Sequence, residues 1–177
     1  MTRTLWTNRW VRAIAVAAVV VLVPTWVLWS GQPGAGDSEM APLDFTLQDM
    51  DGNAVDLADF RGRPLIVNFW ATWCGPCKHE IPAFVELVER YKDQGFTVLG
   101  ISVDDPPEAL KPFAEEYKIN YPVLVGLGHD ELQEHYGAHI VVPVSWFVKR
   151  DGTVHLKSMG TNSTEWFEKQ VKALLEN

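Results

Sequence analysis

The chain has 177 residues, of which 47% are hydrophobic, and this length accommodates one globular domain with an accessory segment. Its 15 Lys and Arg residues and 23 Asp and Glu residues give a formal net charge of −8. All 23 acidic residues follow residue 30, together with only 12 of the basic ones, so that part has a formal charge of −11. Such a surface repels nucleic acid and anionic lipid headgroups, and we expect no nucleic-acid partner.

The N-terminal segment has the pattern of a membrane anchor. The stretch from Val11 to Trp29 carries no charge after Arg12 and would measure about 28 Å as a helix, close to a bilayer core of about 30 Å. The basic residues before it predict a cytoplasmic segment over residues 1–12 and a transmembrane signal-anchor over residues 13–29. The protein is therefore expected to be inserted once in the cell inner membrane, with the rest of the chain in the periplasm.

A cleaved signal peptide is the alternative interpretation of this segment. The small residues Gly34-Ala35-Gly36 offer a cleavage site, but the apolar region of a signal peptide is normally only about 7–15 residues long. Both interpretations place the remainder outside the cytoplasm. Residues 30–41 are rich in Gly, Pro and small polar residues, which predicts a linker, and residues 42–177 form the predicted domain.

The first part of the domain predicts a hairpin followed by a buried strand. Leu43–Leu47 alternates apolar and polar residues, and Asp51-Gly52 predicts a turn before a return strand at Val55–Leu57. The continuous apolar run Leu65–Trp70 is typical of a central strand that is covered on both faces.

The chain's only two cysteines, Cys74 and Cys77, follow this strand and are separated by Gly75 and Pro76. A Cys at a helix N-terminus faces unpaired backbone N–H groups that favour the thiolate, which is the nucleophile in disulfide exchange. We therefore expect Cys74 to attack a partner and Cys77 to resolve the mixed disulfide. A structural disulfide would close too short a loop to stabilise much, and a zinc site would need two more ligands.

The rest of the chain predicts alternating helices and strands, a closing hairpin and a last helix. The predicted elements are a helix from the cysteines to Tyr91 with a kink at Pro82, a strand at Phe96–Val103, a helix at Pro107–Tyr117 capped by Asp105, a strand at Tyr121–Val125, a helix at Glu131–Tyr136, strands at Val144–Val148 and Thr153–Met159, and a helix capped by Ser163 or Thr164. This order predicts an α/β fold with helices on both faces of a mixed sheet. Asn162-Ser163-Thr164 also matches a glycosylation acceptor, although the helix cap is the default interpretation.

These residues resemble a thioredoxin-fold protein, and more closely the membrane-anchored TlpA/ResA-like branch of the thioredoxin superfamily. The resemblance covers about residues 41–175, and its best markers are Asn68–Cys77, Glu80 with Pro82, and Val142-Pro143. It implies a thioredoxin core with an N-terminal β-hairpin extension and an αβ insertion. It also implies an extracytoplasmic thiol-disulfide oxidoreductase, which needs no cofactor beyond its cysteines. Most members are reductants of target cysteines in haem or copper proteins.

The resemblance assigns further site residues. It implies that Pro143 is a cis-proline facing the cysteines, which would bring the Val142 backbone beside Cys74 and let Trp73, Val142 and Pro143 border the bound client. Thioredoxins of the cytoplasm carry a buried Asp where this chain has Asn68, and an amide cannot exchange a proton at physiological pH.

We therefore expect Glu80 to accept the proton of Cys77; the alternative is a solvated Glu that only complements the helix dipole. Client proteins with disulfides or cysteine pairs and an upstream membrane electron relay are the implied partners.

Copper delivery is the main alternative function. The two cysteines could hold Cu(I) as thiolates, with a His as the third ligand. The candidates are His79, His129, His135 and His139, all of which are more typical of surface histidines. A peroxidase is less consistent with two thiols this close together.

Overall fold

Seven strands form one mixed sheet in the computed structural model, which describes residues 39–176. The order across the sheet is β2-β1-β5-β4-β3-β6-β7. The strands are β1 (Thr46–Asp49), β2 (Ala54–Asp56), β3 (Leu65–Trp70), β4 (Thr97–Ser102), β5 (Val123–Val125), β6 (Val144–Val148) and β7 (Val154–Met159).

Four α-helices of the described residues pack on this sheet. They are α1 (Gly75–Tyr91), α2 (Pro107–Glu116), α3 (Asp130–Tyr136) and α4 (Thr164–Leu175). Two short 3₁₀ turns, Leu57–Phe60 and Lys92–Gln94, connect strands and helices.

Strand β3 is the centre of the fold because all six of its residues are buried. It pairs in parallel with β4 and antiparallel with β6, so neither of its edges is exposed. A strand covered on both faces requires apolar side chains in both directions, which explains why Leu65–Trp70 lacks the polar alternation of a surface strand. Asn68 is the exception, and it has polar partners in the site described below.

Successive residues of β3 point to opposite faces and therefore contact different helices. On one face Trp70 packs against Phe113 of α2 at 4.9 Å between ring centroids, and Asn68 bonds a side chain of α1. On the other face Phe69 packs against Tyr136 of α3 at 4.9 Å. Helix α4 shares the face of α1, where the rings of Phe84 and Phe167 lie 4.8 Å apart.

The described chain enters the domain at the hairpin between β6 and β7. Met40 forms an isolated antiparallel bridge with Thr153, and the Ala41 N–H donates to the Gly152 carbonyl at 3.0 Å. The Val154 N–H donates to the Glu39 carbonyl at 2.8 Å. These bonds fix the first described residues to the end of the hairpin where Asp151 and Gly152 form the turn.

The predicted α/β fold is confirmed, including its two additions to the core. Strands β1 and β2 form the N-terminal hairpin, and α2 with β5 forms the αβ insertion between β4 and α3. The Ser163 cap is confirmed too, because its hydroxyl oxygen accepts the Trp166 N–H at 3.3 Å.

Two local predictions are wrong. The first strand begins at Thr46 instead of Leu43: Leu43 is buried but has no partner on β2, and Phe45 contributes only its carbonyl, which accepts the Leu57 N–H at 2.9 Å. Pro106, and not Asp105, occupies the N-cap of α2, because the Asp105 carboxylate is already bonded elsewhere.

The predicted helix from the cysteines to Tyr91 is present as α1, and it continues through Pro82.

The predicted signal-anchor over residues 13–29 lies outside the described residues. No helix between residues 39 and 176 is long and apolar enough to cross a bilayer.

Candidate active site

The two cysteines lie where β3 ends and α1 begins, and they form a disulfide. Their Cα atoms are 5.3 Å apart, within the range that a disulfide spans. Cys74 is the N-cap of α1, and its Sγ accepts the Cys77 N–H at 3.2 Å. Gly75 and Pro76 occupy the first two helical positions, where the missing N–H of proline has no intrahelical partner to lose.

The two cysteine residues differ slightly in exposure. Cys74 is 3% exposed, whereas Cys77 is completely buried. Only Cys74 therefore presents an edge to solvent, and a partner must approach that sulfur first.

The segment before β6 faces Cys74. The Val142-Pro143 peptide bond is cis, as the resemblance implied, and the Val142 carbonyl oxygen lies 3.8 Å from Cys74 Sγ. The Val142 N–H has no hydrogen-bond partner within residues 39–176. This backbone is free to pair with an extended segment of another polypeptide next to the reactive sulfur.

Trp73 precedes the reactive cysteine and is 63% exposed. Its indole Nε1 donates to the two carboxylate oxygens of Asp104, at 3.0 and 3.1 Å. The ring is therefore held in place by the loop after β4 while its face remains open to solvent.

Glu80 is only 1% exposed and belongs to a polar cluster beneath α1. The Asn68 Nδ2 donates to Glu80 Oε1 at 2.7 Å and to Ser145 Oγ at 3.0 Å. Asn68 and Ser145 are paired across β3 and β6, so both side chains point to the face that carries α1. Glu80 Oε2 and Asn68 Oδ1 have no hydrogen-bond partner among the described residues.

Burial raises the pKa of Glu80 to about 8, although the hydrogen bond from Asn68 favours the ionised form and opposes this shift. Burial also raises the pKa of Tyr121, and the nearby charge of Glu80 adds to that effect. At neutral pH Glu80 is thus mainly protonated and close to its titration point. It lies three residues after Cys77, on the adjoining turn of the same helix face.

A second carboxylate, Asp105, fixes the loop that precedes Cys74. Its Oδ2 accepts the Thr72 N–H at 2.8 Å and the Ser102 hydroxyl at 2.6 Å, and its Oδ1 accepts the Thr72 hydroxyl at 2.5 Å. Asp105 is buried, and these bonds replace the water that its carboxylate would otherwise bind. The loop after β4 therefore holds the loop after β3.

Three histidines of the copper alternative, His79, His135 and His139, are exposed, and His129 is half-buried. His79 Nδ1 is 2.9 Å from the Gly75 carbonyl, and His135 Nδ1 is 2.8 Å from the Glu131 carbonyl. Within the part of the chain that the structure describes, no three His, Cys, Asp or Glu side chains form a group that could hold a metal ion.

The structure therefore brings together Cys74, Cys77, Trp73, Val142 and Pro143, and it places Glu80 one helical turn beneath them. The sequence analysis missed Asp104 and Ser145, and it assigned Asp105 only as a helix cap. A signal for the two aspartates existed: they follow a buried strand that runs parallel to β3, and the carboxyl ends of parallel strands share one edge of a sheet.

A cysteine pair that caps the helix after the central strand, opposite a cis-proline, defines a thiol-disulfide oxidoreductase of thioredoxin fold. Comparison with known proteins agrees. The AhpC/TSA family model matches residues 38–157. The thiol-disulfide oxidoreductase ResA of Bacillus thuringiensis is 33% identical over 131 residues, which cover 74% of this chain and 75% of the relative.

Two solved structures from Chlorobium tepidum are similar as well. One, described as a thiol:disulfide interchange protein DsbE, has a TM-score of 0.71 at 28% identity and covers 80% of this chain and 99% of its own. The other, a thiol:disulfide interchange protein of the thioredoxin family, has a TM-score of 0.69 at 31% identity over 79% of this chain and 99% of its own. The chain belongs to the AhpC/TSA family and, within the thioredoxin superfamily, to its ResA-like thiol-disulfide oxidoreductases.

Proposed function

We propose that this enzyme is an extracytoplasmic reductant of disulfides in client proteins, of the type that serves cytochrome c maturation or copper-oxidase assembly. The observation that carries the proposal is the position of the two cysteines at one helix N-terminus, with Cys74 as the N-cap and 3% exposed and Cys77 in the first turn and completely buried. This arrangement supports a fixed order of attack, in which Cys74 reacts with the client and Cys77 with Cys74.

The reaction begins from the reduced enzyme. The Cys74 thiolate attacks one sulfur of the client disulfide, the client S–S bond breaks, and the client's other sulfur leaves as a thiolate. Cys77 then loses its proton and attacks Cys74 Sγ, which breaks the mixed disulfide and releases the second client thiolate. Two electrons pass to the client, and the enzyme is left with the Cys74–Cys77 disulfide.

Glu80 is the proposed acceptor of the Cys77 proton. A general base works best when its pKa lies near the operating pH, and burial brings Glu80 to about 8. Only the ionised fraction of Glu80 can accept a proton, and its unpartnered Oε2 is then the available atom, because Oε1 is held by Asn68. The neighbouring amide cannot take this role because it does not titrate.

Client polypeptides bind, in this proposal, along Trp73, Val142 and Pro143. The free Val142 N–H and the carbonyl beside Cys74 support strand-like pairing with an extended client segment. A dithiol of a membrane electron relay would return the two electrons to the enzyme. Residues 13–29 would hold the domain at the inner membrane, on its periplasmic side.

A trapping experiment tests the order of attack. In cells that produce Cys77→Ser, Cys74 can still attack a client but the mixed disulfide cannot be resolved, so covalent complexes should accumulate and mass spectrometry should identify the clients. Cys74→Ser is the matched control and should capture none. Equal capture by the two variants would contradict the assigned roles.

The direction of electron flow needs a separate measurement. Reducing thioredoxins carry the same Gly-Pro dipeptide between their cysteines and have a potential of about −270 mV, whereas the oxidant DsbA lies near about −120 mV. We expect equilibration with glutathione to place this enzyme near the thioredoxin value. A potential near that of DsbA would make it an oxidant.

A further inference from the structure

A cleft of about 230 Å³ lies beside the reactive cysteine. Trp73 and Asp104 line it from the loops after β3 and β4, and Ile140, Val141 and Val142 line it from the segment before β6. Because the Val142 carbonyl is 3.8 Å from Cys74 Sγ, any chain that reaches this sulfur along Val142 also reaches the cleft.

The cleft combines exposed apolar side chains with one carboxylate. Ile140 is 77% exposed and Val141 is 41% exposed, which is unusual for large aliphatic residues in sequence. The Asp104 carboxylate is exposed on the same cleft, and His139 is its only other ionisable lining residue among those described. No Lys or Arg of the described residues lines it.

Trp73 and Asp104 act as one unit in this cleft. The indole N–H is shared between the two carboxylate oxygens of Asp104, which holds the edge of the Trp73 ring against this carboxylate. No aromatic ring or cation of the described residues packs on the Trp73 ring. A cationic side chain from outside could therefore lie over the ring face and pair with the carboxylate at the same time.

We infer that this cleft selects client segments in which a Lys or Arg lies beside an apolar residue close to the reactive cysteine. The inference rests on the proposed reduction of client disulfides and names the kind of segment that is reduced fastest. The aliphatic side chains of Ile140 and Val141 cover the apolar residue, and Trp73 with Asp104 receives the cation. An acidic client residue at that place would face the like charge of Asp104 and would be disfavoured.

Two disulfide-bonded peptides test this inference, identical except for a Lys or a Glu beside a Leu next to one cysteine. The measured quantity is the ratio of their kcat/KM values with the reduced enzyme, at low and at physiological ionic strength. We expect the wild type to prefer the Lys peptide, and Asp104→Asn to lower this preference by about threefold, as for a partly exposed ion pair. Asparagine keeps an oxygen that can accept the Trp73 N–H, so the substitution removes mainly the charge.

Glu116→Gln is the matched control because it removes one exposed acidic charge at the far end of α2. It should leave the ratio of the two peptides at the wild-type value, which separates the cleft from the overall negative charge. Equal ratios in the wild type and Asp104→Asn, or equal losses in both variants, would overturn the inference alone. If the reduced enzyme left both peptides oxidised, this result would contradict the proposed function as well as the inference.

Discussion

Glu80 lies in a buried environment that disfavours the charged form of its carboxyl group. The side chain is 1% exposed, and the only hydrogen bond it receives among the described residues comes from Asn68. One neutral amide donor does not replace the hydration of a carboxylate, so the protonated form dominates at neutral pH.

This raised pKa predicts how stability depends on pH. The folded-state pKa of about 8 exceeds the ordinary value of 4.5, so the native state holds the extra proton between these two limits. The stabilisation from protonated Glu80 is complete below about pH 4.5 and is lost as pH rises to about 8, by at most about 1.4 kcal/mol per pH unit. Glu80→Gln should remove this loss, as measured by urea unfolding of the oxidised protein from pH 5 to 8.5.

Glu89→Gln provides the control, because Glu89 lies on the same helix but is exposed and paired with Lys92. It should keep the pH slope of the wild type. In kinetic measurements Glu80→Gln should also slow resolution of the mixed disulfide by about 100-fold. An unchanged pH slope would contradict a Glu80 that is protonated at neutral pH, and an unchanged resolution rate would contradict proton acceptance by its ionised fraction.

At the residue scale, the sequence predicted those relations between site residues that depend only on their spacing along the chain. Cys74, Cys77 and Glu80 share one helix, so their relation follows from helical geometry. The partner of Asn68 on strand β6, Ser145, is 77 residues away, and no local pattern relates two such positions. The burial of Glu80, and therefore its pKa, depends on that long-range packing.

At the scale of elements, the loop after β4 holds the active-site loop after β3 in place. Asp105 follows β4 and bonds Thr72, which follows β3, so the active-site loop is tied to its neighbour as well as to its own helix. The sequence analysis placed Asp105 at the N-cap of α2 because Asp before a helix usually caps it. In the structure the Asp105 carboxylate instead accepts hydrogen bonds from Thr72 and Ser102. These bonds satisfy the buried carboxylate, so it is not available to cap α2.

Asp105→Asn tests how much the hydrogen bonds between these two loops contribute to stability. An amide accepts through one oxygen only, so at least one of the bonds from Thr72 or Ser102 is lost and a buried donor is left without a partner. The free energy of unfolding should fall by about 1–3 kcal/mol in urea titrations of the oxidised protein. Asp104→Asn, on the exposed neighbour, should change it by less than about 0.5 kcal/mol. Equal effects of the two substitutions would contradict the assigned role of Asp105.

At the scale of the whole molecule, the proposed periplasmic location of the domain gives one prediction. If residues 13–29 carry the domain across the inner membrane, a membrane-impermeant maleimide should label the reduced cysteines in intact spheroplasts. Cys74→Ser/Cys77→Ser should give no label, which controls for other proteins. Labelling that requires permeabilised membranes would place the domain on the cytoplasmic side and contradict the proposal.

The point where the described chain enters the sheet has a consequence for access to the reactive cysteine. Glu39 and Met40 join the domain at the turn of the β6–β7 hairpin, which lies level with Leu65 at the start of β3. The disulfide lies beyond Trp70, at the other end of this strand, about 17 Å farther along. The first described residues therefore lie at the end of the sheet opposite the disulfide, and neither Glu39 nor Met40 lines the cleft beside Cys74, so an approaching client meets this cleft without contacting them.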